Sequence, residues 1–349
     1  MNDIIIGNKK IGRQHKPFII AEMSGNHNQS IDRAYAIIDA AVEAGADAIK
    51  LQTYTPDTMT IDANTGLFQI NEESSLWKGR NLYDLYKEAH TPWEWHKPLF
   101  EYALKKGIYI FSTPFDETAV DFLEELGVGA YKIASFENTD HPLLKKVAKT
   151  GKPVIMSTGL AKLSDLDESV TVLRNNGCTE LILLKCTSTY PASPENTHLL
   201  TIPHMAELFK CHVGLSDHTM GIGAAVASVA LGARVIEKHF TINRADGGVD
   251  SQFSIEPYEL KSLVIESERA FLALGQVYYG IQEKEKQSLR FKRSIYAVKD
   301  IAVGEAYTEE NTRVIRPGDG LPPKYFEKFI GKKATKNIKA GTPLTWEMI

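Results

Sequence analysis

Cysteine is scarce in this chain: Cys178, Cys186 and Cys211 are the only three among 349 residues, and none is spaced as a CxxC pair. An odd number of cysteines without paired spacing does not indicate a disulfide framework. Disulfides accumulate in proteins of oxidising compartments, so this composition is typical of a reducing one. We therefore expect a cytoplasmic protein.

The chain also lacks an excess of charge and a long apolar run. It has 40 Lys and Arg against 44 Asp and Glu, a net charge of -4, which does not predict a nucleic-acid partner. The most apolar helix-like run, Met220 to Ala233, is shorter than the roughly 18 residues of a membrane span. The first residues, "MNDIIIGNKKIG", have no signal-peptide pattern. We expect neither a nucleic-acid nor a membrane partner.

What the chain does have is a regular alternation of apolar runs with helical patterns. The eight strand candidates are "PFIIAEMS", "DAIKLQTY", "GIYIFSTPF", "AYKIASFE", "PVIMSTG", "LILLKCTSTYP", "HVGLSDHT" and "RVIEKHFT". Eight strand–helix units in about 250 residues match the size of a (β/α)₈ TIM barrel. An open doubly wound sheet is the competing architecture, but "AEMSGNHNQS" stands where its glycine-rich fingerprint would be. We predict the α/β barrel.

Two stretches depart from this alternation. Residues 55–91 separate the second strand from its helix, and connections of that length inside a compact domain are usually functional. After the last barrel helix comes the polar stretch "GQVYYGIQEKEKQSLRFKR", and then short β-like runs alternate with Gly and Pro turns. We predict a barrel at 1–275, a linker at 276–292 and a small β-rich domain at 293–349.

The active site of a TIM barrel lies at the carboxyl ends of its strands. The polar residues at those ends are, in strand order, Glu22, Asn26, His27; Lys50, Gln52; Ser112, Thr113; Lys132, Ser135, Glu137; Ser157, Thr158; Lys185, Thr187, Ser188, Tyr190; Ser216, Asp217, His218; and Glu237, Lys238, His239. Lysines with hydroxyls suit a phosphate and a carboxylate. Two imidazoles from neighbouring strands can hold one divalent cation. We interpret the ring as a site for a phosphorylated small acid and a metal-polarised carbonyl.

Each of these residues also has a simpler interpretation. His218 or His239 alone would more often be hydrogen-bonded than metal-bound, and Lys50 alone could extend to solvent at the rim. We interpret Thr158, Thr187 and His27 as structural. Lys185 carries a competing hypothesis, because a lysine on the sixth strand could form a Schiff base with a carbonyl substrate.

With these motifs the chain resembles the sialic acid synthase family along nearly its whole length. The matching segments are "AEMSGNHNQS", "AIKLQTY", "STPFD", "YKIASFE", "MSTGL", "KCTSTYP", "GLSDHTMG" and "VIEKHFT". The tail resembles that family's antifreeze-like (SAF) domain through "RSIYAVKDIAVGE", "IRPGDGLPP" and "IGKKATKNIKAGTPL". The resemblance implies condensation of phosphoenolpyruvate with an N-acetylated amino-sugar aldehyde, giving a nine-carbon acid and phosphate.

The resemblance also implies roles for individual residues. His218 and His239 match metal ligands for Mn²⁺ or Mg²⁺, and Glu22 matches the acid/base glutamate. The positions that match phosphoenolpyruvate contacts are Lys50, Thr113, Lys132, Ser135, Ser157, Ser188 and Ser216. Those that match sugar contacts are Gln52, Glu137, Tyr190 and Asp250. Arg316 matches an arginine that reaches the sugar from the partner's tail, which implies a domain-swapped homodimer.

Two segments resemble one branch of the family in particular. Ser188 stands where the bacterial N-acetylneuraminate branch usually has Asn. The segments "NRADGGVDSQFSIEP" and "ANTGLFQINEESSLWKGRNLYDLYKEAHTPWEWH" resemble the pseudaminic acid synthases, which implies 2,4-diacetamido-2,4,6-trideoxy-L-altrose as the sugar. A legionaminic or N-acetylneuraminic acid synthase is the first alternative. A sugar- or ice-binding protein that uses its tail, with the barrel as scaffold, is the distant one.

Overall fold

The computed structural model describes residues 1–73 and 75–349 of the chain. The chain divides into two compact units, Met1–Gly275 and Gln276–Ile349. Within the described residues, no helix is long and apolar enough to cross a membrane.

Eight parallel strands of the first unit close into a barrel, in which the last strand pairs with the first. They are β3 (Phe18–Glu22), β4 (Ala48–Thr53), β5 (Tyr109–Pro114), β6 (Tyr131–Ile133), β7 (Val154–Ser157), β8 (Leu181–Cys186), β9 (His212–Ser216) and β10 (Val235–His239). Each lies in one of the eight predicted runs. The predicted (β/α)₈ barrel is confirmed.

A hairpin that we did not predict precedes the barrel. Its strands are β1 (Ile4–Ile6) and β2 (Lys9–Ile11), which pair antiparallel. The sequence did carry a signal for it, because Gly7 and Asn8 form a Gly-Asn pair, which is typical of a two-residue hairpin connection. Gly7 has a φ of 61°, a conformation that glycine adopts without steric cost.

In the part of the first unit that the structure describes, ten α-helices follow or connect the strands. They are α1 (Ile31–Ala44), α2 (Pro56–Met59), α3 (Leu82–Ala89), α4 (Trp93–Lys106), α5 (Glu117–Glu125), α6 (His141–Ala148), α7 (Leu163–Asn175), α8 (Thr201–Phe209), α9 (Gly223–Ala230) and α10 (Pro257–Leu274). Helices α2 and α3 lie within the long connection 55–91, ahead of the barrel helix α4.

Helix α1 shows how the sequence specifies these helices. It begins because the Ser30 side chain accepts a hydrogen bond from the Arg33 N–H, and it ends at Gly45, whose φ is 86°. Its buried face carries Ile37, Ile38 and other apolar residues at helical spacing. Replacing Ile37 with Ala would cost about 2–5 kcal/mol of stability.

Side-chain alternation along the strands explains both the core and the site. In β3, Phe18 and Ile20 belong to one apolar cluster that fills the base of the barrel with residues of the hairpin, and Glu22 is the next residue of that face. In β10, Val235 belongs to the same cluster, and Glu237 follows it two residues later. The barrel interior is therefore apolar at the base and charged at the mouth.

The second unit is small and has its own core. Strands β11 (Ser294–Ala297) and β12 (Thr312–Ile315) pair antiparallel, and α11 (Phe326–Phe329) follows them. Ile295, Tyr307, Phe329 and Leu344 belong to its apolar cluster. A 3₁₀ helix at Glu283–Phe291 lies in the stretch that we predicted as a linker.

Candidate active site

A cavity of about 820 Å³ opens at the carboxyl ends of the strands. Its lining includes every barrel residue to which the family resemblance assigned a role: Glu22, Lys50, Gln52, Thr113, Lys132, Ser135, Glu137, Ser157, Ser188, Tyr190, Ser216, His218, His239 and Asp250. Its volume is in the range of small-molecule sites. The remaining candidate, Arg316, belongs to the second unit and is exposed there.

Four buried charges form a network on the cavity floor. Lys50 Nζ lies 2.5 Å from Glu22 Oε2 and 3.8 Å from Glu237 Oε1, and it donates a hydrogen bond of 2.9 Å to Thr113 Oγ1. Lys132 Nζ lies 3.4 Å from the same oxygen of Glu237. Two lysines therefore share two carboxylates, which is how a protein keeps several charges buried without leaving one unpaired.

The environments of Glu22 and Glu237 shift the pKa values of the two carboxyl groups in opposite directions. Burial raises the pKa of Glu22 to about 7, against the opposing effect of Lys50. Burial also acts to raise the pKa of Glu237, but Lys132 and Lys50 outweigh it and leave that pKa below its usual value. Glu22 can therefore exchange a proton near neutral pH, while Glu237 stays ionised.

The two lysines also differ. Burial acts to lower the pKa of Lys50, but Glu22 and Glu237 outweigh it and raise that pKa. Burial lowers the pKa of Lys132. Glu237 raises that pKa and so offsets only part of the effect of burial, while the positive charge of Lys50 lowers it further. An incoming anion would restore favourable charge around Lys132, so the site is suited to bind one.

Hydroxyl groups surround the lysines. Ser135 Oγ accepts a hydrogen bond of 3.2 Å from the Gly159 N–H, and Ser157 Oγ is buried with no hydrogen-bond partner within the described residues. Gly159 has no room for a side chain, because a Cβ there would lie 2.7 Å from Ser135 Oγ and still closer to Ser188 Oγ. The backbone at Gly159 therefore approaches Ser135 and Ser188 more closely than any other residue type would allow.

The two histidines fit a pair of metal ligands. Their ring centroids are 5.3 Å apart, and His218 Nδ1 lies 2.9 Å from the Thr187 carbonyl oxygen. Donation to a carbonyl through Nδ1 leaves Nε2 with a free lone pair, as in most metal-bound histidines. His239 Nδ1 is buried with no hydrogen-bond partner among the residues that the structure describes, and Asp250 Oδ2 lies 3.8 Å from it. Among residues 1–73 and 75–349, no three His, Cys, Asp or Glu side chains form a metal site.

The part of the cavity around His218 and Tyr190 combines carboxyl groups with aromatic rings. The Tyr190 ring lies 4.4 Å from the His218 ring and 5.0 Å from the Phe253 ring, measured between centroids. Burial raises the pKa of Asp250 to about 6, and Asp250 accepts a hydrogen bond from Ser24 Oγ. Burial also raises the pKa of Glu137 to about 7. Groups of this kind can hold the hydroxyl and amide groups of a sugar.

Comparison with known families identifies the chain. The NeuB family matches residues 37–279, and the SAF domain matches residues 292–349. The chain belongs to the NeuB family. This confirms the family and the β-rich SAF domain that the sequence motifs predicted.

Several NeuB-family relatives are similar over most of their length. Pseudaminic acid synthase of Campylobacter jejuni is 46% identical over 94% of this chain and 95% of that protein. Pseudaminic acid synthase of Helicobacter pylori is 43% identical over 94% of this chain and 96% of that protein. The crystal structure of N-acetylneuraminic acid synthetase from Leptospira borgpetersenii, in complex with citrate, has a TM-score of 0.73 and 34% identity, and covers 82% of this chain and 95% of that one.

The structure corrects our interpretation of Asp217 and Lys238, which we placed in the polar ring of this NeuB-family barrel. Lys238 Nζ lies 2.8 Å from Asp217 Oδ2, and both side chains are 1% exposed. Neither is among the cavity-lining residues that the structure describes. Side chains alternate along a strand, so neighbours of the inward-facing Ser216, His218, Glu237 and His239 point away from the cavity.

Lys185 also lies outside the described lining of the cavity. Its Nζ donates hydrogen bonds to the Cys186 carbonyl, at 2.8 Å, and to Thr187 Oγ1, at 3.2 Å. Within the described residues Thr158, Thr187 and His27, which we interpreted as structural, do not line the cavity either. His27 is buried beside Trp95, with ring centroids 5.5 Å apart.

Sequence reasoning gave no role to Glu237 and Cys186, which line the cavity close to the lysines and the histidines. Glu237 was seen at the end of the eighth strand but was given no role, although it lies between Lys50 and Lys132. Its position two residues before His239 was a usable signal, because residues i and i+2 share a strand face. Cys186 lines the cavity beside His218, with 3.9 Å between its Sγ and His218 Nδ1.

Proposed function

We propose that this NeuB-family enzyme condenses phosphoenolpyruvate with 2,4-diacetamido-2,4,6-trideoxy-L-altrose to give pseudaminic acid and phosphate. The observation that carries the proposal is 43–46% identity, over 94% of the chain, to proteins named pseudaminic acid synthase. N,N'-diacetyllegionaminic acid synthase of Campylobacter jejuni is 39% identical over 93% of the chain. The legionaminic sugar is therefore the first alternative.

Phosphoenolpyruvate would bind to the lysines on the cavity floor. Lys50 and Lys132, whose side chains are 4% and 2% exposed, supply positive charge to its phosphate and carboxylate. Electrostatic effects are strong at such buried positions. The hydroxyl groups that would donate to the same anions are Thr113, Ser135, Ser157, Ser188 and Ser216. Buried Glu237 holds the two ammonium groups in position through its 3.8 Å and 3.4 Å contacts.

His218 and His239 would hold a divalent cation, Mn²⁺ or Mg²⁺. When bound, such a cation polarises a carbonyl oxygen as a Lewis acid. The histidines thus set the position of the aldehyde end of the open-chain sugar. Gln52, Glu137, Tyr190 and Asp250 would bind its hydroxyl and acetamido groups.

Glu22 would act on the water that completes the reaction. C3 of phosphoenolpyruvate attacks the aldehyde carbon, whose oxygen takes up a proton and becomes a hydroxyl group, and this leaves positive charge at C2. Water adds at C2 as Glu22 accepts its proton. The tetrahedral species then expels phosphate by breaking the C–O bond. A carboxylate whose pKa is about 7 is suited to this exchange near neutral pH.

Phosphate release provides the test. Purified protein with Mn²⁺ should release phosphate from phosphoenolpyruvate only when the amino sugar is added, and EDTA should stop the release reversibly. In ¹⁸O-labelled water the label should enter the sugar acid at C2. Label in the phosphate would mean P–O cleavage and would refute the role of Glu22.

We further propose that the working unit is a cytoplasmic homodimer in which the partner subunit's Arg316 completes each sugar site. The support is the motif "IRPGDG" together with the exposure of Arg316, whose guanidinium could donate to an acetamido carbonyl. The boundaries at 275, 276–292 and 293 belong to the same proposal, with the linker carrying the tail to the partner.

Subunit mixing tests this arrangement. Arg316→Ala and His239→Ala should each be inactive alone. After exchange of subunits, one site of the heterodimer has both its histidine and its arginine, and activity should return. Absence of rescue, with heterodimers demonstrated by mass spectrometry, would show that each subunit completes its own site.

A further inference from the structure

The long connection between β4 and α4 forms one wall of the cavity, and most of that wall is apolar. The apolar and aromatic residues that it contributes are Tyr54, Met59, Ile70, Trp77, Leu82, Leu85, Tyr86 and Ala89. Glu72 and Ser75 are its polar members, and Ser75 Oγ accepts a hydrogen bond of 3.2 Å from the Trp77 N–H. A substrate group that meets this wall therefore contacts mainly apolar and aromatic side chains of the described residues.

Trp77 connects this wall to the segment of the chain that contains Val249 and Asp250. Its indole N–H donates a hydrogen bond of 2.9 Å to the carbonyl of Val249, 172 residues away in the sequence. Val249 is followed directly by Asp250, whose carboxylate is near His239 Nδ1. The indole N–H therefore fixes the backbone that carries a proposed sugar-binding carboxyl.

The rings of His218, Tyr190 and Trp77 follow one another in contact, so Trp77 lies beyond Tyr190 from the histidines. Its centroid lies 5.9 Å from that of Tyr190, and the Tyr190 ring lies 4.4 Å from that of His218. A sugar chain that starts at the histidines and passes Tyr190 would meet Trp77 at its far end.

We infer that Trp77 selects a 6-deoxy sugar with its ring and positions Asp250 with its N–H. The inference rests on the proposed function, in which the aldehyde carbon C1 lies at His218 and His239. The far end of the chain is then C6, which is a methyl group in the proposed sugar. A methyl group gains from contact with the indole face, whereas that face offers no hydrogen-bonding group to the hydroxyl of a hydroxymethyl group.

The expected discrimination is moderate. An apolar pocket rejects an analogue that adds one hydroxyl group by about 100-fold at most. We expect the 6-deoxy sugar to have a kcat/KM about 10- to 100-fold above that of its 6-hydroxy analogue, 2,4-diacetamido-2,4-dideoxy-L-altrose. The two sugars differ only at C6, so the ratio isolates that position.

Two substitutions of Trp77 distinguish the effect of the ring from the effect of the indole N–H. Trp77→Phe keeps an apolar ring and removes the donor, so it should lower kcat for both sugars and leave their ratio unchanged. Trp77→Gln keeps a side-chain N–H and removes the ring, so it should bring the ratio to within about threefold of unity. Trp93→Phe is the matched control, because Trp93 donates to the Tyr54 carbonyl at 3.2 Å from outside the described cavity lining. It should leave the ratio unchanged.

The outcomes distinguish the inference from the proposed function. A full-length protein that uses the 6-deoxy sugar, and whose preference survives in W77Q, overturns the inference alone. A protein that uses neither altrose sugar but accepts N-acetylmannosamine overturns the proposed function, and the inference with it. Melting curves identify any variant that does not fold. W77Q tests the ring and W77F tests the N–H, so a folded W77F with wild-type kcat would overturn the positioning of Asp250.

Discussion

Lys50 Nζ and Glu22 Oε2 lie 2.5 Å apart, with side chains that are 4% and 1% exposed. Burial nevertheless keeps the pKa of Glu22 near 7, because water cannot stabilise its charged form there. A buried ion pair of this kind gives little net stability. Its value lies in holding an ammonium group and a titratable carboxyl side by side at the mouth of the barrel.

Replacing Glu22 with Gln tests its role as a base. We expect kcat to fall about 10²- to 10⁴-fold, the usual contribution of general acid–base catalysis. Because a base must be ionised, wild-type kcat should rise with pH through about 7, the pKa of Glu22, and the variant should lose this limb. Glu268→Gln, at an exposed ion pair with Lys16, is the control. A variant that keeps the limb would remove Glu22 from the proton transfer.

The lysines separate anion binding from imine chemistry. Lys50→Met and Lys132→Met should each lower kcat/KM for phosphoenolpyruvate about 10²- to 10³-fold, as the loss of one buried electrostatic contact does. Lys185→Met should stay within about threefold of wild type, because Lys185 bonds to main chain outside the described cavity lining. An inactive K185M, together with a borohydride-trapped adduct at Lys185 in the wild type, would favour the Schiff-base hypothesis.

The barrel could be predicted from the sequence because its signals are local. Apolar runs of strand length recur, and a glycine such as Gly45 ends a helix before the next strand. The fold class then determines where the strand ends meet. From that rule we predicted that Lys50, Lys132 and the two histidines lie at one site, without knowing any contact between them.

Other parts depend on contacts that local patterns do not show. Asp217 and Lys238 stand at strand ends like their neighbours, and the face to which each points follows from strand register. Trp77 meets Val249 across 172 residues through a loop, whose path is set by tertiary packing. The role of Glu237 needed the strand face and the distances to both lysines together.

The buried carboxyl group of Glu137 should lower the stability of the folded protein at alkaline pH, where it is ionised. Burial raises the pKa of its folded state to about 7 from the usual 4.5, so folding favours the protonated form. Stability is then lost as pH rises from about 4.5 to about 7, by at most about 3 kcal/mol. Glu137→Gln should therefore resist urea better than wild type at pH 8, with the difference shrinking at pH 5. A difference independent of pH would contradict the assignment.

The Asp217–Lys238 pair should matter for folding rather than for turnover. Lys238→Met leaves the Asp217 carboxylate buried without its 2.8 Å partner, which should cost about 3–5 kcal/mol. The double variant with Asp217→Asn should recover part of that loss. Lys16→Met, at an exposed pair, should cost about 0–1 kcal/mol. Urea unfolding measures all three, and a loss under about 1 kcal/mol in K238M would disprove the structural role.

A competition assay tests the central claim most directly. The protein is given phosphoenolpyruvate, Mn²⁺ and equal amounts of 2,4-diacetamido-2,4,6-trideoxy-L-altrose, the corresponding legionaminic precursor and N-acetylmannosamine, and mass spectrometry with chromatographic standards identifies the nine-carbon products. We predict pseudaminic acid as the main product at early time points. A tenfold or greater preference for either of the other sugars would contradict the proposed function.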